Sequence, residues 1–165
     1  MKFRIALLSG LAIGLIGVGC GEKKNDSAVG KENSAEEEKL HWLTDFGAAK
    51  AQARSEKKML LMNFTGSDWC PPCIQLEKQL FSKAEFAQYA AKNLVLLEVD
   101  FPRRKELPAE QSAANNQLAG EYRIEGFPTV IVLNSDSKPL GKFGYVPGLG
   151  PAQVIDALEK ARAEK

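Results

Sequence analysis

The chain has 165 residues, 44% hydrophobic and 26% charged, the composition of one soluble globular domain with an appendage. Its 22 basic and 21 acidic residues leave a net charge of +1, without the basic stripe that nucleic-acid binding requires.

Met1 to Gly19 holds two cations, Lys2 and Arg4, no acid, and an apolar or small-residue run from Ile5 to Gly19 that stops at Cys20. This pattern fits an export signal peptide over residues 1–19. As a spanning helix the run is short of the roughly 20 apolar residues needed, and its four glycines weaken helix formation. Gly17-Val18-Gly19-Cys20 resembles the lipobox of bacterial lipoproteins, which makes Cys20 the expected lipid-attachment residue. The resemblance departs at Gly17, where an aliphatic residue is usual; ordinary cleavage leaving Cys20 free, or removing it, is the alternative. Without residues 1–19, 20 basic residues face 21 acidic ones. Any membrane tether is then expected to be the lipid rather than surface charge. Gly21 to Lys39, polar and with Val29 as its one larger aliphatic residue, cannot bury enough surface to offset ordering. It is expected to be a flexible linker, so that residues 20–39 join the anchor to a domain spanning 40–165.

Leu40 to Lys58 predicts a first helix, capped by Thr44 or Asp45, with Leu43, Phe46, Ala49 and Ala53 on its apolar side. His41, the single histidine, fits a surface or packing role. Met59 to Phe64 predicts a buried strand, and Thr65 to Asp68 a turn. A helix is predicted from Pro71 toward Phe81, and a second over Ser82 to Lys92 with a Ser82–Glu85 capping box. Leu94 to Asp100 is apolar enough for a central strand. Phe101 to Pro108, containing Arg103-Arg104-Lys105, predicts an exposed basic loop and Ala109 to Tyr122 a helix. Phe127 to Leu133 and Leu140 to Tyr145 predict two further strands, and Pro151 opens a terminal helix with Val154, Ile155, Leu158 and Ala161 on one side. An early βαβ unit followed by a hairpin implies an α/β fold, a central mixed sheet with helices on both faces.

The chemistry concentrates at Trp69-Cys70-Pro71-Pro72-Cys73. Thiols at i and i+3 on a first helical turn are close enough to join, and the helix N-terminus favours a thiolate. A CxxC near a strand–helix pattern points to thiol–disulfide exchange. Exchange needs an exposed Cys70 that attacks a partner disulfide, after which Cys73 resolves the mixed disulfide. Pro71 suits a first helical turn, and with Pro72 it removes two amides that could stabilise the thiolate. The Cys70 thiol is therefore expected nearer about 7 than about 3.5.

This chain resembles the thioredoxin superfamily from about Leu40 to Lys165, in its WCxxC and in Ile124-Glu125-Gly126-Phe127-Pro128-Thr129. The Phe64 to Cys70 stretch is also similar to exported bacterial thioredoxin-like lipoproteins. The resemblance implies a thioredoxin-like fold, Cys70 as attacking and Cys73 as resolving thiol, and Pro128 as a cis-proline facing the disulfide. It places Trp69, Pro71, Pro72, Phe127 and Thr129 around the substrate, where a peptide adds as a strand beside Phe127. It implies a protein dithiol or disulfide as substrate, a separate protein as redox partner, no cofactor and no metal. It further implies a setting in the bacterial envelope, lipid-anchored and periplasm-facing. Thioredoxins carry a buried Asp before the motif; here that region offers Asn63, leaving Glu98, Asp68 or water to take the Cys73 proton. The competing readings are a binding module with a structural disulfide, a metal site, and a peroxide reductase. Two cysteines and one distant histidine do not complete a tetrahedral zinc site within one chain.

Overall fold

The computed structural model describes residues 39–163. The expected signal peptide, Cys20 and nearly all of the linker lie outside the described residues. Eleven successive segments follow: β1 (Trp42–Leu43), α1 (Phe46–Glu56), β2 (Met59–Thr65), α2 (Pro71–Leu76) continuing as a π-helical stretch (Glu77–Phe81), α3 (Ala84–Asn93), β3 (Leu94–Asp100), α4 (Ala109–Glu121), β4 (Thr129–Leu133), β5 (Pro139–Phe143) and α5 (Pro151–Ala163). The strands form one mixed sheet in the order β1-β3-β2-β4-β5. β1, β3 and β2 are parallel, while β4 runs antiparallel to both β2 and β5.

Alternation along the buried strands divides the core into two layers. Met59 and Leu61 of β2, with Leu94 and Leu96 of β3, meet Leu76, Leu80, Phe81, Phe86, Val154 and Leu158. Leu60, Met62 and Phe64, with Val95, Leu97 and Val99, meet Ala49, Ala53 and Leu118. One face of the sheet therefore carries α2, its π-helical continuation, α3 and α5; the other carries α1 and α4.

Three sequence expectations are corrected. Residues 42 and 43 are not helical: Trp42 pairs with Leu96 and Leu43 with Leu97 at the sheet edge. Trp42 also packs edge-on against Phe81, centroids 5.1 Å apart; a two-residue strand is too short to leave a period in the sequence. Asp45 caps α1, its carboxylate accepting from the Ala48 N–H. The Ser82–Glu85 capping box does not form. Lys83 is the N-cap of α3 with no side-chain cap, because the Ser82 hydroxyl donates to Glu77 Oε1 at 3.1 Å and its backbone closes the π-helical stretch. β4 begins at Thr129 rather than Phe127, after a cis Phe127–Pro128 bond; proline has no N–H to give a ladder.

Candidate active site

β2 ends at Thr65, and the chain turns through Gly66 to Trp69 to enter α2. The Gly66 carbonyl accepts from Trp69 N at 3.2 Å and from Cys70 N at 2.9 Å. Glycine is required here: a Cβ on Gly66 would lie 2.5 Å from the Trp69 indole. Cys70 is the N-cap of α2, and Pro71 and Pro72 occupy the first two helical positions. Cys70 is disulfide-bonded to Cys73, with Cα atoms 5.3 Å apart. Since neither proline has an N–H, the Cys73 amide is the donor that reaches Cys70 Sγ, at 3.3 Å.

The turn is tied to the end of the neighbouring strand. Asp100, 5% exposed at the end of β3, accepts from Ser67 N at 2.9 Å and Ser67 Oγ at 2.7 Å, and pairs with Lys105 Nζ at 2.8 Å. The Asp68 carboxylate accepts from the backbone N–H groups of Arg103 (3.0 Å), Arg104 (2.7 Å) and Lys105 (3.3 Å). The Arg103 amide, followed by those of Arg104 and Lys105, holds the Asp68 carboxyl below its usual range. The Trp69 indole N–H donates to the Phe101 carbonyl at 2.7 Å. Phe127 meets Trp69 edge-on at 6.1 Å and stacks on Phe101 at 4.9 Å. The loop holding Pro128 is thereby brought against Trp69 through its neighbour Phe127, and a Cβ on Gly144 would lie 2.9 Å from the Pro128 carbonyl. Thr129 does not contribute a free hydroxyl: its Oγ1 donates to the Gly126 carbonyl at 2.8 Å.

The expectation of an exposed Cys70 is not met in this oxidised state, where Cys70 is 3% and Cys73 5% exposed. Cys73 shares its side of α2 with Leu76, which packs on the sheet, and the bond ties the Cys70 sulfur to that side. Pro71, beside it, is exposed.

Among the possible proton acceptors, Asp68 is occupied by three amides. Asn63 is 6% exposed, and its Oδ1 makes no hydrogen bond within the protein. Glu98 is half-buried directly beside Asn63 in the β2–β3 register. Burial, then the charge of Asp100, pushes its carboxyl above the usual range. Sequence reasoning missed the roles of Gly66, Asp100 and Phe101. The available signal was positional: the carboxyl ends of neighbouring parallel strands gather at one edge, where sites form.

A family model described as a thioredoxin-like domain matches residues 46–162. The chain is 35% identical over 115 residues to the disulfide bond reductase DsbH of Chlamydia pneumoniae, covering 70% of this chain and 69% of that protein. A solved structure of a DsbH oxidoreductase superposes with a TM-score of 0.70 at 32% identity, covering 76% of this chain and 86% of that one. The thioredoxin-related protein DsbJ of the same organism is 26% identical over 110 residues, 65% of this chain but 32% of DsbJ.

Proposed function

Because this chain belongs to the thioredoxin-like family and is a thiol–disulfide oxidoreductase, we propose that it reduces protein disulfides, with Cys70 as attacking and Cys73 as resolving sulfur. The observation that carries this assignment is the Cys70–Cys73 pair joined at the N-terminus of α2, with Cys70 at the cap position. Burial of both sulfurs would by itself suit a structural disulfide. The family match and the relatives named for disulfide reduction and thioredoxin-like chemistry weigh for exchange.

In the reduced chain the Cys70 thiolate attacks one sulfur of the partner's disulfide. A Cys70–partner bond forms, and the partner's other sulfur leaves as a thiolate that takes up a proton. Cys73 then loses its proton and attacks Cys70, expelling the partner's second thiolate and restoring the Cys70–Cys73 bond. Two electrons pass from this chain to the partner. Glu98, on the sheet face that carries α2 and with its carboxyl raised above the usual range by burial, is the acceptor we assign for the Cys73 proton. Once the bond is open, rotation about χ1 turns the Cys70 sulfur outward past the exposed Pro71. The Trp69 indole, the Phe127 ring and the backbone beside Pro128 form the rim that an incoming extended peptide meets.

The direction of electron flow follows DsbH, named as a reductase, and the two prolines that thin the donors around Cys70. In the envelope a reductase must be recharged by a second protein dithiol. The N-terminal pattern supports export, with Cys20 lipid-anchored and residues 21–39 as a spacer to the catalytic domain. Labelling the full chain with a radioactive fatty acid, which Cys20→Ser should abolish, tests the anchor.

Trapping tests the chemistry. The Cys73→Ser chain should accumulate a mixed disulfide through Cys70 that dithiothreitol releases, and Cys70→Ser should accumulate none. Absence of both the adduct and insulin reduction by the native chain would leave a structural disulfide.

A further inference from the structure

The basic loop after β3 is built into the rim of the exchange site. The Arg103 guanidinium carbon lies over the Trp69 ring, 3.6 Å from its centroid, on the residue that precedes Cys70. Trp69 in turn meets Phe127, next to Pro128. One continuous surface therefore runs from the loop, across the tryptophan, to the segment beside which a partner peptide lies.

The loop is fixed rather than free. Asp68 accepts three of its amides, Lys105 pairs with Asp100, and the Phe101 carbonyl holds the Trp69 indole. These bonds occupy the two acidic groups nearest the loop. Arg103 and Arg104 are exposed, and neither has a carboxylate within ion-pair distance among the described residues. Glu106 is the loop's own carboxylate, and it too is exposed. A planar guanidinium held on an aromatic face keeps its N–H edge available for a carboxylate, with little side-chain freedom left to lose on binding.

We propose that Arg103 and Arg104 form a docking edge that selects partner segments carrying Asp or Glu beside the disulfide to be reduced. This rests on the disulfide-exchange reading and adds to it the chemical character of the partner. The acidic flank lies along the loop while the partner's sulfur reaches Cys70, so charge attraction speeds productive encounter.

Two short peptides, each closed by one internal disulfide, test this, one flanked by Glu and the other by Gln. With the full chain kept reduced by dithiothreitol, kcat/KM for the Glu peptide should exceed that for the Gln peptide by roughly three- to tenfold, the scale of two exposed ion pairs. In the Arg103→Gln/Arg104→Gln chain that ratio should fall to near one. For the native chain, so that folding of the variant is not at issue, the ratio should also collapse at about 0.5 M salt. A native ratio of one, or a ratio that survives both the substitutions and the salt, overturns the docking edge and leaves exchange intact. No enzyme-dependent reduction of either peptide overturns both.

Discussion

Asn63 and Glu98 stand side by side in register across the parallel β2–β3 pair, on the sheet face that carries α2. A carboxamide thus occupies the more buried position and a carboxylate the adjoining, half-exposed one. The acidic group on this face lies one strand away from where a buried acid on β2 would have put it.

The Glu98→Gln chain should resolve mixed disulfides more slowly, on the order of a hundredfold, the low end of what a positioned base contributes. Burial first, and the Asp100 charge second, raise the folded Glu98 carboxyl above its ordinary value of 4.5. The folded state then holds this proton more tightly than the unfolded state, so stability declines as pH rises from about 4.5 through the folded value. Glu98→Gln should remove that decline. Urea titrations across this window, together with quenched-flow measurement of adduct lifetime, check both; unchanged lifetime and slope would sink the assignment.

Asp68 is shifted the other way, below its ordinary value of 3.8, chiefly by the Arg103 amide. Its contribution to stability is fully present above 3.8 and disappears as pH falls through the lower folded value. The Asp68→Asn chain should therefore show faster hydrogen exchange at the amides of residues 103–105 near neutral pH. The difference from the native chain should vanish in strong acid.

Gly66→Ala should displace Trp69, because the added methyl meets the indole ring while the indole N–H is bound to Phe101. A cost of roughly 1–3 kcal/mol is expected for such overpacking. Denaturant unfolding gives the cost, and insulin reduction should fall with it as the rim beside Cys70 is disturbed. Full activity with an unshifted midpoint would contradict the close packing.

Cys70 in the reduced chain should titrate closer to about 7 than to about 3.5, the ends of the range for such motifs, since among the first three helical positions only Cys73 supplies an amide. The pH dependence of iodoacetamide alkylation in the Cys73→Ser chain measures it. Replacing Pro72 with Ala restores one N–H and should lower the value.

Much of the architecture was legible because strong local signals agreed. β2 and β3 are continuous apolar runs, which only a sheet covered on both faces requires, and the CxxC, its prolines and the Gly126 to Thr129 segment are contiguous in the chain. Trp42–Leu43 escaped notice because its partners Leu96 and Leu97 are more than fifty residues away. Ser82 looked like a helix cap, yet the π-helical stretch before it offered Glu77 as a nearer partner.

By itself, then, the sequence determined the exchange motif, the order of the main strands and helices, and the two prolines that limit the donors around Cys70. Those are local properties of side-chain type and spacing. Only the tertiary structure decided that Asp100 holds the turn before Cys70, that Arg103 lies on Trp69, and that Glu98 adjoins Asn63. Each of these pairs is separated by more than thirty residues and meets because parallel strands bring their carboxyl ends to the same edge of the sheet.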